Sequence, residues 1–349
     1  MSDPNQEFPI DIELEAPLKK VCYPGFDTDI LAMQLVTEAR YENGKAVIHL
    51  RPLSAPPEVS EELENRIAAA VREATGAEEV EIHAPTPLPP KEKQGPQPIE
   101  GVKWVVPVAS GKGGVGKSTV AVHLALALAA QGLKVGLLDL DLYGPSLPIM
   151  LGLRDAKPEA EGQLIAPIES MGLRVMSVGF LLGADKALIW RGPLVMKAVR
   201  QLLHEVAWGE LDVLVLDLPP GTGDVQITMA QEVPISGAVV VTTPQDVALG
   251  DAIKGVDMFG QVGAPVLGIV ENMSYFACPD CGSRHEIFGH GSVEPLAAKL
   301  GVPYLGELPL DPAVRQLADE GKPGEVLAGE HGEPFRQLAE KVLARLKES

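Results

Sequence analysis

The sequence predicts an α/β protein that is built on a doubly wound, mostly parallel sheet and preceded by a small α+β domain. Three observations support this: short apolar runs rich in valine, a glycine-rich loop between one such run and a helical pattern, and a proline-rich stretch. Apolar strands that alternate with helices are typical of parallel sheets covered on both faces. The predicted strands of the large domain are Trp104–Ala109, Val135–Leu140, Val213–Leu218, Gly237–Thr242 and Val266–Val270.

The proline-rich stretch divides the chain into two parts. Six prolines lie between Ala84 and Glu100, with few residues that could pack in a core. This composition favours a semi-rigid, polyproline-like linker. We therefore expect a small domain over residues 1–83, a linker over 84–100 and a large domain over 101–349.

In the small domain, strand propensity over Leu35–Tyr41 and Ala46–Leu50, with the turn signal Asn43–Gly44 between them, predicts a hairpin. Apolar residues at helical spacing predict a helix over Val59–Thr75, and Glu79–Ile82 is expected to form a third strand.

In the large domain, a predicted helix over Ser118–Gln131 follows the glycine-rich loop, and Phe335–Leu346 has the amphipathic pattern of a helix that closes the core.

The charge balance argues against two classes of partner. The chain has 29 basic and 48 acidic residues and a formal net charge of −19, which opposes nonspecific attraction to nucleic acids and anionic membranes. Three cysteines are not a disulfide framework, so we expect a cytoplasmic protein. The polar, acidic start of the chain lacks the pattern of a signal peptide, and no apolar run reaches the length of a transmembrane helix.

The glycine-rich loop Gly111–Ser118 has the pattern Gly-x-x-x-x-Gly-Lys-Ser between a predicted strand and a predicted helix. In this context backbone N–H groups surround a phosphate chain, and the helix N-terminus favours the anion. Lys117 is expected to neutralise the β- and γ-phosphates of ATP, and Ser118 to coordinate Mg²⁺. The residues expected to bind ATP or ADP here are Gly111, Lys112, Gly113, Gly114, Val115, Gly116, Lys117, Ser118 and Thr119.

The additional lysine near the start of the loop, Lys112, makes the loop resemble that of the deviant Walker A ATPases. In that family the signature lysine reaches across a dimer to the nucleotide of the other subunit, which implies a catalytic role for Lys112. A lysine that is only solvated is the alternative.

Two carboxylates, Asp139 and Asp141, are separated by one residue at the end of the second predicted strand. Doubly wound sheets bind ligands at the carboxyl ends of their strands. The same resemblance makes Asp141 the switch I residue that positions the attacking water, and it puts Asp139 nearer the metal. In the alternative interpretation, which suits Asp139 better, the carboxylate only caps the following loop.

A third carboxylate, Asp217, follows the apolar run Val213–Leu216 and precedes Gly221 and Gly223, as in a Walker B strand with a switch II loop. Because Asp217 follows residues that are expected to be buried, its charge needs a partner. Mg²⁺ bound through water would be such a partner. By family resemblance, Asn272 reads the adenine edge and the segment from Pro309 to Asp311 walls the base, although a strand-end asparagine is often a cap or turn residue.

Cys278 and Cys281 form a Cys-x-x-Cys pair in a polar loop. Three interpretations are open: a redox dithiol, although no thioredoxin-like unit surrounds it; a zinc site completed by His285 or His290; or half of an iron–sulfur site completed by a second subunit. Cys22, in the small domain, is expected to be a small buried side chain.

A more specific resemblance, to the Mrp/ApbC/Nbp35 family of iron–sulfur carrier ATPases, extends from Val102 to Leu346. The segments that carry it are DLDLYGPSLP, IWRGPL, DLPPGTGD, ENMSYFACPDCG and FGHGS. The resemblance implies a homodimer that holds a [4Fe–4S] cluster on Cys278 and Cys281 of each subunit, passes it to recipient apoproteins and hydrolyses ATP slowly.

The small domain resembles, more loosely, the MIP18 domain that is often fused to bacterial members of this family. Two departures stand out: the usual Asp-Pro-Glu is replaced by Tyr23–Gly25, and the usual cysteine is missing from Leu53–Pro57. We therefore assign no cluster chemistry to this domain.

Two other functions remain as alternatives. A ParA/MinD-like positioning ATPase would need a basic patch or a C-terminal membrane helix, whereas Glu340 and Glu348 suit a core helix better. A nitrogenase-like reductase would ordinarily use two separated cysteines per subunit.

Overall fold

The computed structural model describes residues 10–24, 28–51, 57–83, 95–142, 144–162, 164–181 and 192–348. Contacts between residues divide the chain into two compact units, Met1–Gln94 and Gly95–Ser349. Several features singled out above lie outside the described residues: Gly25, residues 53–56, residues 84–94 of the linker, Tyr143 and residues 189–191.

The first unit is a three-stranded sheet packed against helices. Its strand order is β1-β2-β3, with β1 and β2 antiparallel and β2 and β3 parallel. The predicted hairpin is confirmed, and Asn43 and Gly44 turn the chain with φ of 50° and 78°, as primed hairpin turns require. Ile48, Leu63 and Ile67 are fully buried between sheet and helix. Its elements are α1 (Ile12–Leu18), β1 (Val36–Glu42), β2 (Lys45–Leu50), α2 (Pro57–Thr75) and β3 (Glu79–His83).

The second unit is built on an eight-stranded sheet of order β15-β12-β11-β4-β10-β5-β9-β8. All neighbouring pairs are parallel except β8 and β9. The elements of the unit are β4 (Val102–Ala109), α3 (Lys117–Ala130), β5 (Val135–Asp139), α4 (Leu147–Met150), β6 (Ala160–Glu161), β7 (Leu164–Ile165), β8 (Ile168–Ser170), β9 (Leu173–Ser177), α5 (Val178–Leu181), α6 (Gly192–His204), β10 (Leu211–Asp217), α7 (Asp224–Glu232), β11 (Ala238–Thr242), α8 (Asp246–Gln261), β12 (Val266–Glu271), β13 (Phe276–Ala277), β14 (Arg284–His285), α9 (Val293–Leu300), β15 (Tyr304–Glu307), α10 (Pro312–Asp319), α11 (Gly324–Ala328) and α12 (Glu333–Glu348).

Helices cover both faces of this sheet, which confirms the predicted fold class. On β4, Val106 packs in the core that includes α3 and α12, whereas Val105 packs in the core that includes α6 and α8. Successive strand residues point to opposite faces, so a strand buried on both sides must be apolar throughout. This explains the continuous valine-rich runs. Among the described residues, no helix is long and apolar enough to cross a membrane.

Strand register brings the predicted carboxylates together. β10 lies between β4 and β5, and Asp217 pairs in register with Val108 on one side and Asp139 on the other. The carboxyl ends of these three strands therefore meet beside the loop that leads into α3. β15, β9 and β8 have no counterpart among the predicted strands, because they are short and lack an uninterrupted apolar run.

Candidate functional site

The phosphate loop connects β4 to α3 and is held by close packing. Gly114 and Gly116 have φ of 83° and 79°, in the left-handed region that glycine favours. A Cβ at Gly111 would collide with the backbone of Asp251, and a Cβ at Gly116 with the amide of Asn272. Glycine is therefore required at Gly111 by packing and at Gly116 by both packing and backbone conformation. The loop leaves α3 to begin at Lys117, with its free N–H groups at the site.

A buried ion pair lies at the base of the loop. Lys117 is 6% exposed, and its Nζ contacts Asp217 Oδ1 and lies 3.1 Å from Ser118 Oγ. Asp217 is fully buried at the end of β10, and its other oxygen, Oδ2, has no hydrogen-bond partner among the described residues. A buried acceptor without a donor is costly. The donor set fits Mg²⁺, for which the Ser118 hydroxyl would be a direct ligand and Asp217 a ligand through water.

Asp139 is bonded on both oxygens by groups of the protein. Its Oδ1 accepts from the N–H of Asp141 at 2.9 Å, and its Oδ2 accepts from the N–H of Leu147 at 3.2 Å and the hydroxyl of Ser177 at 3.1 Å. Burial, together with the nearby charge of Asp217, raises the pKa of Asp139 to about 7. These bonds favour the loop-capping interpretation of Asp139. The register with Asp217 places Asp139 beside it, and the expected position of Asp139 near the metal stays a prediction.

The two predicted catalytic residues lie at the rim of the site. Asp141 is half-buried, and its Oδ1 accepts from the N–H of Gly144 at 3.2 Å. Lys112 is also half-buried, and its carbonyl accepts from Ser110 Oγ at 2.9 Å. Within the described part of the chain, the Lys112 ammonium makes no ion pair. The side chain is therefore available to a ligand or to a second subunit.

Asn272 holds the phosphate loop from the side. It follows β12, is 6% exposed, and its Nδ2 donates to the carbonyl of Val115 at 2.7 Å. The amide nitrogen is thus engaged by the loop, and adenine recognition by this residue stays a prediction. Pro309 follows β15 and is half-buried between Leu308 and Leu310, whose N–H groups bond the carbonyls of Glu271 and Tyr275.

The predicted switch II loop is held by a residue that is not among the predicted site residues. Gln226, in the first turn of α7, is 1% exposed, and its Nε2 lies 2.7 Å from the carbonyl of Pro219 and 2.9 Å from that of Gly221. Gly221 has φ of 97°, and its N–H donates to the carbonyl of Ser110. The available sequence signal for this role was a glutamine three residues after Gly223.

The two cysteines lie on the hairpin formed by β13 and β14. The N–H of Cys278 donates to the carbonyl of Ser283 at 2.9 Å, and Cys281 Sγ lies 3.2 Å from Ser283 Oγ. Both thiols are free, and Cys281 is exposed. The hydrogen bond between Cys281 and the Ser283 hydroxyl, with further contributions from the Ser283 backbone and from Cys278, lowers the pKa of Cys281. A lowered thiol pKa favours the thiolate, which is the form that binds metals.

The histidines considered for a zinc site have other neighbours. The ring of His285 packs 6.5 Å from that of Phe276, and His290 Nδ1 lies 3.1 Å from Ser274 Oγ and 3.6 Å from Glu271 Oε1. Over the described ranges, no group of three or more histidine, cysteine, aspartate or glutamate side chains is placed to hold a metal ion. In this structure the two thiols are therefore not joined by a histidine into a zinc site.

Comparison with known proteins gives consistent results across the chain. Residues 101–346 match the family described as NUBPL iron-transfer P-loop NTPases. The chain is 43% identical over 338 residues to the iron–sulfur cluster carrier protein of Haemophilus influenzae, covering 96% of this chain and 91% of the relative. It is 50% identical over 266 residues to the iron–sulfur cluster transfer protein NUBPL of Mus musculus, covering 74% of this chain and 82% of the relative.

Solved structures agree with the observed architecture. A nucleotide-binding protein from Archaeoglobus fulgidus in complex with ADP is 42% identical and superposes with a TM-score of 0.59, covering 65% of this chain and 89% of the other. The cell division ATPase MinD of Pyrococcus furiosus, at 23% identity and a TM-score of 0.51, covers 69% of this chain and 98% of its own and shares the fold alone. With this phosphate loop, this sheet and these relatives, the chain belongs to the family of NUBPL iron-transfer P-loop NTPases.

Proposed function

We propose that this protein is an ATP-dependent carrier that assembles an iron–sulfur cluster between two subunits and transfers it to recipient apoproteins. One observation carries the proposal: a phosphate loop and a hairpin with two free thiols occur in the same unit. Asn272 lies between them along the chain, and its amide bonds the phosphate loop. Relatives that match most of the chain are named iron–sulfur cluster carrier proteins, which supports the assignment.

The nucleotide site contains a buried ion pair whose lysine can change partners. When ATP binds, Lys117 exchanges Asp217 for the β- and γ-phosphate oxygens, while the N–H groups of the loop and of the first turn of α3 surround the phosphates. Ser118 and Asp217 would hold Mg²⁺ there, and the ion would supply neutralisation of phosphate charge. Asp139 fixes the loop that carries Asp141 through its bond to the Asp141 N–H.

Slow ATP hydrolysis resets the carrier. Asp141 orients the attacking water, and Lys112, which makes no ion pair within the described residues, stabilises the phosphates from across the dimer. A carboxylate that orients water contributes mainly to the transition state rather than to ATP binding. Turnover therefore depends on Asp141 and on dimerisation, whereas ATP binding by one chain depends on Lys117.

The cargo is a [4Fe–4S] cluster shared by two chains. Cys278 and Cys281 supply two thiolates, and a second copy related by two-fold symmetry supplies the other two, which completes the usual set of four. Because Cys281 is exposed, the cluster is accessible for transfer to an apoprotein. We propose a cytoplasmic homodimer with neither a nucleic-acid nor a membrane partner, since the net charge is −19. A positioning ATPase has no evident use for an exposed thiol pair.

The experiment that tests this proposal replaces both cysteines. Cys278→Ser/Cys281→Ser removes every hairpin thiolate, and serine is a poor ligand for iron–sulfur centres because its hydroxyl stays protonated. After anaerobic reconstitution, we expect about four irons per dimer in the wild type and almost none in the variant, with unchanged ATP affinity. Iron, sulfide and apparent mass are the quantities to measure.

The matched control is Cys22→Ser, which removes the remaining cysteine of the chain, located in the first unit. It should retain the cluster and the dimer. A wild type that holds four irons per monomer would refute the shared site, and one zinc per monomer would indicate a structural metal loop instead.

A further inference from the structure

A cluster of polar side chains at the carboxyl ends of β12 and β15 has no role in the proposed nucleotide or thiol chemistry. It adjoins the cysteine hairpin. Glu271 is fully buried and Glu307 is half-buried, whereas Arg284 and His290 are 39% and 36% exposed. We call it the polar network; its members are Glu271, Ser274, Arg284, His290 and Glu307.

Two glutamates form the centre of the polar network. Glu271 and Glu307 are paired in register as the last residues of adjacent parallel strands, so two carboxylates are forced side by side. Ser274 Oγ lies 2.7 Å from Glu271 Oε1 and 3.1 Å from Glu307 Oε2, and His290 Nδ1 lies within 3.6 Å of both carboxylates. Donors between like charges offset their repulsion, so the pair depends on its partners.

Arg284 ties this centre to the cysteine hairpin. Its guanidinium makes a two-pronged contact with Glu307, at 2.8 and 2.9 Å, and lies 4.0 Å from the ring centroid of Tyr275. Paired geometry of this kind fixes orientation as well as distance. The neighbouring residue, Ser283, bonds Cys278 through its carbonyl and Cys281 through its hydroxyl. The position of Arg284 thus affects the position of Ser283, which bonds the backbone N–H of Cys278 and the thiol of Cys281.

The other end of the polar network reaches the phosphate loop. Glu271 is followed by Asn272, whose amide holds the carbonyl of Val115 at 2.7 Å. A movement of the loop on nucleotide binding would therefore act on Asn272 and, through the chain, on Glu271 and Ser274.

The polar network also has room to rearrange. Glu271 is fully buried, yet its Oε2 has no hydrogen-bond partner among the described residues. A cavity of about 330 Å³, lined in part by His290, Tyr304 and Glu307, adjoins it. An unused acceptor beside a cavity permits a second arrangement of the donors. Two discrete arrangements are what coupling between sites requires.

We propose that Arg284 is a positioning residue that couples the phosphate loop to the two thiols. Its contact with Glu307, connected through Ser274 and Glu271 to Asn272, makes the reactivity of Cys278 and Cys281 depend on bound nucleotide. The use of this coupling rests on the proposed carrier function, because it would adjust cluster release to the ATP state. The coupling itself is a property of the protein without a cluster.

The test measures thiol alkylation in metal-free protein that carries Cys22→Ser, with and without Mg²⁺ and a non-hydrolysable ATP analogue. Iodoacetamide is the probe, and mass spectrometry gives the rates at Cys278 and Cys281. In the otherwise unchanged protein, nucleotide should alter these rates by about fivefold or more, the usual lower range for coupled sites. In Arg284→Gln the ratio should fall to about one with unchanged analogue affinity, if the coupling runs through this contact.

Two further variants sharpen the result. Arg284→Lys keeps the charge but loses the two-pronged contact, so it should also lose most of the nucleotide effect. Arg315→Gln is the matched control, because Arg315 is 78% exposed in an i,i+4 pair with Asp319 on α10, and it should keep the full ratio. If Arg284→Gln melts at a lower temperature than the wild type, Glu307→Gln replaces it as the test of the same contact.

The proposal is overturned if nucleotide leaves the alkylation rates unchanged in the background protein, or if Arg284→Gln keeps the full ratio. Its failure is distinct from failure of the carrier function. Reconstitution with iron and sulfide, measured on the same background, tests the carrier function alone.

Discussion

At the scale of single residues, the site is organised by the buried ion pair of Lys117 and Asp217. The lysine can contact either Asp217 or the phosphates of ATP. Lys117 pairs with Asp217, and the same ammonium is expected to contact phosphate oxygens when ATP binds. Removing one member of a buried pair leaves an uncompensated charge, which costs more than the intact pair contributes. Lys117 therefore affects both ATP affinity and folding stability, and the two effects can be separated.

Lys117→Ala should weaken ATP binding by about a hundredfold, because the phosphates lose a charge-assisted contact worth about 3 kcal/mol. Isothermal titration calorimetry measures this change. The variant should also unfold more easily, by about 3 to 5 kcal/mol, since Asp217 keeps a buried charge without a partner.

Adding Asp217→Asn to Lys117→Ala separates these effects. The double variant should regain most of the lost stability, because no unpaired charge is left, but it should not regain ATP affinity. If Lys117→Ala alone retains wild-type ATP affinity, the phosphate-loop assignment is wrong.

Asp141→Asn should bind ATP normally and hydrolyse it at least about tenfold more slowly, because its carboxylate acts on the attacking water rather than on bound ATP. Steady-state phosphate release and ATP affinity are the two measurements. Asp155→Asn is the control, since Asp155 is an exposed aspartate further along the same chain segment. Normal turnover in Asp141→Asn would show that another residue, such as one in the switch II loop, positions the attacking water.

At the scale of secondary-structure elements, α3 is the helix on which the phosphate loop depends. It is buried along most of its length, and its His123 stacks on Phe335 of α12 with ring centroids 4.5 Å apart. His123 Nδ1 lies 2.7 Å from the carbonyl of Thr119, and Nε2 is buried with no hydrogen-bond partner among the described residues. Burial lowers the pKa of His123 to about 4, so the folded protein keeps this ring neutral at pH values where the unfolded chain protonates it.

This difference makes the stability of the second unit depend on pH. Above pH 6.5 both states hold a neutral His123, whereas between pH 6.5 and pH 4 the unfolded chain gains a proton that the folded protein excludes. The contribution of His123 to the unfolding free energy therefore falls as the pH falls, by about 3 kcal/mol at pH 4. Asp139 acts in the opposite direction over part of this range, because its pKa is raised to about 7.

The effect of His123 alone is therefore the difference in unfolding free energy between the wild type and a variant without this histidine. Relative to the wild type, His123→Leu should gain about 3 kcal/mol of unfolding free energy between pH 7 and pH 4, with no relative change above pH 7. Denaturant titration followed by tryptophan fluorescence is suitable, since residues 1–94 contain no tryptophan and the described Trp104 and Trp208 lie in the second unit. A difference that stays constant from pH 7 to pH 4 would contradict the assignment.

At the scale of the whole molecule, the two compact units have separate cores. The first is built around residues such as Leu14, Ile48 and Leu63, and the second around the eight-stranded sheet. The N–H of Gln97 donates to the carbonyl of Glu232, and Ile99 is 6% exposed, so the end of the predicted linker is part of the second unit. The boundary observed in the contacts is between Gln94 and Gly95.

A shortened protein that begins at Gly95 should fold and bind ATP with the affinity of the full chain, because it keeps every contact within the second unit. Its melting transition, followed by tryptophan fluorescence, should lie close to that of the full chain. A protein that begins at Ile99 is the informative comparison, since it loses the Gln97 contact with Glu232 and should melt slightly lower. Insolubility of both proteins would show that the first unit is part of one folding core.

Much of this architecture could be predicted from local sequence. Valine-rich runs specified the central strands, because a strand buried on both faces must be apolar at every position. Asn43–Gly44 specified a hairpin through their tolerance of positive φ. Short strands such as β15 and β9 gave no such signal, since their neighbours along the sheet, rather than their own composition, determine their pairing.

The sequence by itself determined the pattern of the glycine-rich loop and the Cys-x-x-Cys spacing of the two thiols, because both depend on residues a few positions apart. Only the tertiary structure decided that Asp139 caps a loop, that Asn272 holds the carbonyl of Val115, and that Arg284 connects the cysteine hairpin to Glu307. Val115 and Asn272 are 157 positions apart. Such contacts are set by strand order and register, which bring the carboxyl ends of distant strands together, and no local pattern encodes which of those side chains will meet.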